Sequence, residues 1–193
     1  MIKKFDKVAV FAALLLSVFA AADAFAQQLP DPELREALKK AANASYSFED
    51  RFAAEVWLTD MSRRLARQVR DPQERVHILT RVHHEATRAD LPPELVLAVI
   101  EVESNFDQYA ISVAGALGMM QVMPFWIDEI GRPDDNLLHL ETNLRYGCTI
   151  LKFYLDKEKG DLRRALGRYN GSLGKRKYPN KVITKLSEKW FQA

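Results

Sequence analysis

The sequence predicts an all-α protein, and three observations carry this prediction. From residue 27 onward, apolar residues recur at three- and four-residue steps, which is the period of an amphipathic helix. Pairs such as Asp31-Pro32 and Asp71-Pro72 are typical of helix starts. No stretch alternates apolar and polar residues in the way of a half-buried strand. With 193 residues, 48% hydrophobic and 28% charged, the chain is long enough for one helical domain with a core.

The first 26 residues differ from the rest and are typical of a secretory signal peptide. Lys3, Lys4 and Lys7 precede an apolar run over 8–22, and residues 24–26 offer a small-x-small cleavage site. The alternative is a membrane anchor, but about 15 apolar residues are short of the roughly 20 that span a bilayer. We therefore expect a mature periplasmic chain that begins at residue 27 and is not inserted in the membrane.

Three helices are expected in the first half of the mature chain. Asp31 is expected to cap a short helix over 32–42, and Ser47 is expected to cap a longer one over 48–69. Asp71-Pro72 begins the third helix. Residues 27–80 are interpreted as a helical extension that packs on a second region, 81–193.

The third helix carries His77, His83 and His84, which raises the possibility of a metal site. His77 and His84 are seven residues apart, or about 10 Å along a helix, whereas ligands three or four residues apart share a face. We therefore expect solvent-facing histidines and no metal or cofactor. Cys148 is the only cysteine, so an intrachain disulfide is impossible; a buried, inert thiol is expected.

The central helix begins at Pro92-Pro93 and is apolar on all sides from residue 95 to 100, which predicts burial all round. Two glutamates near its end, Glu101 and Glu103, lie about 160° apart around the axis. Glu103 shares its side with Val99 and is expected in apolar surroundings. Glu101 is expected on a more polar side, where it reaches water.

A carboxylate in apolar surroundings has a raised pKa, because burial disfavours the charged form. A neutral carboxylic acid near pH 7 can protonate a leaving oxygen, as the acid of lysozyme does in glycoside cleavage. Glu103 is therefore a candidate general acid. A glutamate that only caps or pairs at a helix end is the alternative, and the helix pattern alone leaves both open.

The second half of the chain predicts four more helices. Gly115 and Gly118 permit sharp turns before a short helix over 125–130. A long helix is expected over 141–158, and Asp161 is expected to cap another that runs to residue 168. After a turn over 169–174, the last helix is expected over 179–191.

The net charge of +2 argues against nucleic acid as a partner. Between residues 163 and 189, however, nine Lys or Arg residues accompany one acid, Glu188. This basic face either meets an anionic polymer or is a solvated helix surface, and the sequence leaves both open.

Three ordered blocks carry a family resemblance: Glu103-Ser104-Asn105-Phe106, then GALGMMQVMP over 115–124, then ALGRYNG over 165–171. They resemble the family 1 lytic transglycosylases of the soluble, SLT type, murein-cleaving enzymes with a goose-type lysozyme-like fold. The family pattern is roughly ESxF, GAxGLMQxMP and ALxxYNxG, and the resemblance covers residues 82–190. The chain departs from it at Met119, where leucine is usual, and over 171–173, where the usual proline is missing.

The resemblance implies roles for individual residues. Glu103 would be the single catalytic acid and base, with Ser104 and Ser112 near it or near the sugar. Met120 and Gln121 would line the glycan groove.

Two further roles follow from the third block. Tyr169 would hold the carboxyl group of Glu103 through its hydroxyl. Asn170 would contact the sugar or shape the turn.

The reaction implied by the resemblance needs one carboxylate, because the N-acetyl group of N-acetylmuramic acid supplies the nucleophile. The product is a 1,6-anhydromuramic end, and no cofactor is required. Two alternatives remain: a muramidase that admits water, or a non-catalytic murein-binding component of a secretion or conjugation apparatus. The expected partners are glycan strands of peptidoglycan, with a cell-envelope protein as a further candidate.

Overall fold

The computed structural model describes residues 36, 41, 47, 48 and 50–191. The predicted signal peptide lies outside the described residues. Of the predicted helix over 32–42, only residues 36 and 41 are described, and both are helical.

The described part of the chain contains seven α-helices and no β-strand, which confirms the all-α prediction. The last helix continues into a π-helical turn, Leu186–Trp190. The α-helices are α1 Arg51–Leu65, α2 Pro72–Arg88, α3 Pro93–Glu103, α4 Phe125–Ile130, α5 Leu140–Lys157, α6 Leu162–Tyr169 and α7 Lys177–Lys185. The predicted boundary at residue 80 falls within one continuous helix, α2.

Aspartate side chains cap three of these helices. Asp71 accepts hydrogen bonds from the backbone N–H groups of the first turn of α2, and Asp161 does the same for α6, as expected. The cap of α1 is Asp50 and not Ser47, because Asp50 Oδ1 accepts from Ala53 N at 2.8 Å. Ser47 is instead bonded through its hydroxyl to His83 Nδ1, at 2.8 Å.

Helix α3 lies at the centre of the described core. Residues 95–100 are all buried, as the apolar run predicts. Helix α3 packs against α2, against α7 and against the π-helical turn, while α5 packs against α2 and α6. The end of α3 is therefore enclosed by the C-terminal segment.

The three histidines of α2 have different surroundings. His77 is exposed, but His83 stacks on Phe48 with 3.5 Å between ring centroids and meets Trp57 edge-on. Burial, followed by the neighbouring charge of His84, lowers the pKa of His83 to about 4. The expectation that all three face solvent was wrong for His83, because Ser47 and Phe48 contact its ring.

Three further observations concern metal sites, the cysteine and membranes. In the part of the chain that the structure describes, no group of three or more His, Cys, Asp or Glu side chains is placed to hold a metal ion. Cys148 is fully buried in α5, and burial raises the pKa of its thiol far above the ordinary value. None of the helices in this part is both long and apolar enough to cross a bilayer.

Candidate active site

Glu103 is the last residue of the buried helix α3. The next residues reverse the chain sharply, because Asn105 and Phe106 both have left-handed backbone conformations with φ of 52° and 68°. Ser104 holds this reversal in place by donating to the carbonyl oxygen of Met119 at 2.8 Å. The hydroxyl of Ser104 therefore joins the end of α3 to the glycine-rich segment.

The carboxyl group of Glu103 is held by one phenol. Tyr178 Oη donates to Glu103 Oε1 at 2.6 Å. Burial raises the pKa of Glu103 to about 7, and the hydrogen bond from Tyr178 opposes this rise. A carboxyl group with a pKa near neutral pH is suited both to give a proton and to take one back.

The expectation that Tyr169 holds Glu103 was wrong, and Tyr178 makes this contact instead. Tyr169 Oη donates to the carbonyl oxygen of Met120 at 2.7 Å. The sequence prediction missed Tyr178 because it began the last helix at Pro179, which left Tyr178 in a loop. Helix α7 begins at Lys177, so its first turn presents Tyr178 to the end of α3.

The expectation that Glu101 reaches water was also wrong. Glu101 is 9% exposed, and its Oε1 accepts from Lys185 Nζ at 2.7 Å. Its Oε2 accepts from Trp190 Nε1 at 2.8 Å and lies 3.0 Å from Lys189 Nζ. Burial acts to raise the pKa of Glu101, but hydrogen bonds from the two lysines and the indole outweigh it and hold the pKa below its ordinary value. The two glutamates diverge as expected, but lysines rather than water surround Glu101.

A buried amide that the sequence did not single out organises the glycine-rich segment. Asn143, 1% exposed, donates from Nδ2 to the carbonyl oxygens of Leu117 and Leu137 and accepts from Met120 N, each at 2.8 Å. Gly118 lies so close that a Cβ there would stand 2.4 Å from Asn143 Nδ2. Any larger residue at position 118 would displace this amide.

The residues predicted to line the groove divide into two groups. Met120 is fully buried, and its sulfur packs against Gly147, where an added Cβ would lie only 2.3 Å from it. Met120 therefore belongs to the core and not to the groove. Ser112 and Gln121 do line the cleft beside Glu103. Gln121 Nε2 is already bonded to two backbone carbonyl oxygens, and Ser112 Oγ accepts from Ala116 N.

Two adjoining hollows meet at Glu103 and Asn170. The larger, about 430 Å³, is rich in aromatic side chains, and we call it the aromatic hollow. The smaller, about 300 Å³, is lined by three lysines together with Tyr178. The aromatic residues of the larger hollow are Phe125, Trp126, Tyr154 and Tyr169.

Comparison with curated proteins gives short but consistent matches. The chain is 49% identical over 43 residues to the membrane-bound lytic murein transglycosylase C of Actinobacillus pleuropneumoniae serotype 5b, covering 22% of this chain and 12% of that protein. It is 30% identical over 105 residues to the transglycosylase of Enterobacteria phage PRD1, covering 51% of this chain and 38% of that protein. The chain thus spans well under half the length of these relatives.

Among solved structures, the chain is similar to an inactive mutant of the lytic transglycosylase Slt from Pseudomonas aeruginosa. That similarity has a TM-score of 0.46 and 19% identity, and it covers 81% of this chain and 34% of the other. The family model described as the transglycosylase SLT domain matches residues 81–191, which include Glu103, the glycine-rich segment and Tyr178. This match covers more than half of the 193 residues, and the chain therefore belongs to the transglycosylase SLT domain family.

Proposed function

We propose that the protein is a peptidoglycan lytic transglycosylase. It would cleave the β-1,4 bond between N-acetylmuramic acid and N-acetylglucosamine and leave a 1,6-anhydromuramic end. The observation that carries the proposal is Glu103, a carboxyl group at the junction of two hollows with a pKa raised to about 7 and a phenol on one oxygen. Family membership, and relatives named lytic murein transglycosylases, support murein as the substrate.

The proposed reaction uses Glu103 twice. Protonated Glu103 first gives its proton to the glycosidic oxygen, and the C1–O bond breaks as the N-acetyl carbonyl oxygen of the muramic acid attacks C1. An oxazolinium forms, and Glu103 is left as a carboxylate. The carboxylate then takes the proton of the C6 hydroxyl, O6 attacks C1, and the N-acetyl group is released. The proton returns to Glu103, and no water is consumed.

The arrangement of carboxylates supports this route over direct attack by a second acid. Retaining glycosidases that use a nucleophilic carboxylate place it about 5 Å from the acid. Among the described residues that line the two hollows, Glu103 is the one acidic side chain. Glu101 is engaged by Lys185 and Lys189 and cannot serve as the nucleophile.

The neighbouring residues take supporting roles in this proposal. Tyr178 holds the carboxyl group of Glu103, and Tyr169 braces the backbone of Met120 behind the cleft while its ring lines the aromatic hollow. Ser112, Gln121 and Asn170 line the cleft and are placed to contact the sugar.

Location and domain organisation are part of the proposal. The predicted signal peptide would export the chain to the periplasm, where murein lies, and the names of the membrane-bound relatives support a place in the cell envelope. Residues 27–80 would form an extension on the SLT domain; its helix α1 packs against α2 and the π-helical turn. That extension could also receive a cell-envelope protein partner.

Digestion of purified murein followed by mass spectrometry of the products tests the proposal. We expect muropeptides with 1,6-anhydro ends. Reducing muramic ends would instead identify a muramidase. The Glu103→Gln variant is the control, and turnover of murein by this variant at the wild-type rate would contradict an acid role for Glu103. If the wild-type chain itself did not cleave murein, a binding component would be favoured.

A further inference from the structure

The smaller hollow beside Glu103 is lined by Lys175, Lys177 and Lys181, and we call it the lysine hollow. Lys177 and Lys181 lie one turn apart on α7, so their side chains project from the same face. All three lysines are exposed. Glu103 and Asn170 line this hollow as well as the aromatic one, so a strand bound at the acid would pass the lysines.

None of the three lysines of the lysine hollow forms an ion pair within the described part of the chain. The next lysines along the chain differ, since Lys185 and Lys189 both bind Glu101. Three unpaired ammonium groups around a hollow of about 300 Å³ attract an anion, because a partly enclosed site screens charge less than open water does.

The aromatic hollow has the opposite character. Phe125, Trp126 and Tyr154 give it flat apolar surfaces that suit uncharged sugar rings. Its one cationic group among the described lining residues, Arg168, forms an ion pair with Glu158. The cleft is therefore asymmetric, with a neutral side, a cationic side and the acid between them.

We infer that the lysine hollow binds a carboxylate carried on the lactyl arm of a muramic acid next to the scissile bond. This inference rests on the proposed function. The sugar rings of a murein strand are uncharged, so its carboxylates are found on the lactyl arms. They are either the free lactyl carboxylate of a strand without peptides or the carboxylates of an attached peptide stem. An ammonium group recognises either one as a point charge.

Strand binding to the Glu103→Gln variant tests the inference without cleavage. Two strand preparations are compared, one with peptide stems and one without, each before and after its carboxylates are converted to neutral amides. We expect amidation to weaken binding about 5-fold, the effect of two or three partly exposed ion pairs, and 0.5 M salt to remove the difference. Dependence confined to stem-bearing strands would identify the stem as the source of the carboxylate. Dependence confined to strands without stems would identify the free lactyl carboxylate, and dependence in both preparations would show that the hollow binds either one.

A matched pair of double variants separates the hollow from general charge attraction. Lys177→Gln/Lys181→Gln, in the Glu103→Gln background, is expected to abolish the effect of amidation. Lys157→Gln/Lys159→Gln removes the same amount of charge at the end of α5, and this variant is expected to retain the effect of amidation. The inference would be overturned if both double variants lost the effect of amidation equally. It would also be overturned if amidation did not weaken binding to the Glu103→Gln parent, or if that parent bound no strand. Failure of the proposed function is distinct, because it shows as intact murein after incubation with the wild-type chain.

Discussion

Glu101 and Glu103 lie two residues apart on α3, and the same C-terminal segment covers both, yet their surroundings are chemically opposite. Lys185, Lys189 and Trp190 bind Glu101 and hold its pKa below the ordinary value despite burial. A neutral phenol binds Glu103, and burial raises its pKa to about 7. The difference shows that the groups on the facing helix, and not burial alone, decide which carboxylate stays charged and which becomes an acid.

The largest expected effect comes from Glu103→Gln. This change keeps the size of the side chain and removes its proton transfer, so we expect the rate of anhydro-end release to fall by at least about 10³-fold. Circular dichroism should show an unchanged helical content. If the variant retained a tenth of the wild-type rate, Glu103 would not be the acid, and the comparison between the two glutamates would lose its functional meaning.

Glu101→Gln is expected to act on stability rather than on the reaction. It leaves Lys185 and Lys189 without their carboxylate, so we expect the free energy of unfolding at pH 7 to fall by about 2 kcal/mol. This is less than the loss expected for a fully buried pair, because Lys185 is half-exposed. The rate should stay within about threefold of wild type. Urea unfolding measures the loss, and Glu188→Gln, exposed on the same π-helical turn, serves as the control.

The pH dependence of stability should have opposite signs at the two positions. Glu101 has a lowered folded-state pKa, so its contribution is complete above the ordinary value of 4.5 and is lost as pH falls further. Glu103 has a raised pKa, so the wild-type chain loses stability as pH rises from 4.5 to about 7. Relative to wild type, Glu103→Gln should therefore gain about 2 kcal/mol between pH 4.5 and 8, as urea unfolding would measure. If Glu103→Gln instead gained stability relative to wild type as the pH fell from 8 to 4.5, the raised pKa of Glu103 would be contradicted.

Tyr178→Phe and Tyr169→Phe form a matched pair with the smallest expected effects. Tyr178 donates to Glu103 and holds its pKa down, so Tyr178→Phe should move the basic limb of the pH–rate profile to higher pH and lower the rate about 10-fold. Tyr169→Phe loses a bond to the Met120 carbonyl oxygen and should cost about 1 kcal/mol of stability without moving that limb. If the two variants had identical pH–rate profiles, the positioning role of Tyr178 would be contradicted.

Local signals in the sequence were sufficient for much of the fold. Asp71 and Asp161 mark the starts of α2 and α6, and the apolar run from 95 to 100 marks the buried helix α3. These features depend on residues within a few positions of each other, which periodicity and capping describe. The expectation of a raised pKa for Glu103 came from the same run, because the buried helix ends at this residue.

The parts that the sequence did not predict depend on distant residues. Tyr178 and Glu103 are 75 positions apart, and Trp190 and Glu101 are 89 apart. Met120 is buried because the glycine at position 147 of α5 leaves space for its sulfur. The pattern of one helix shows which way a side chain points, but it does not show which group on another helix meets it.

The separation along the chain between each glutamate and its partner also affects the order of events during synthesis. Glu103 leaves the ribosome 75 residues before Tyr178, and Glu101 emerges 89 residues before Trp190. Until residues 177–190 have been made and have packed against α3, neither carboxyl group has the phenol, the lysine or the indole that binds it in the folded chain. The surroundings from which the acid role of Glu103 is proposed are therefore complete only when residues 177–190 have folded onto α3.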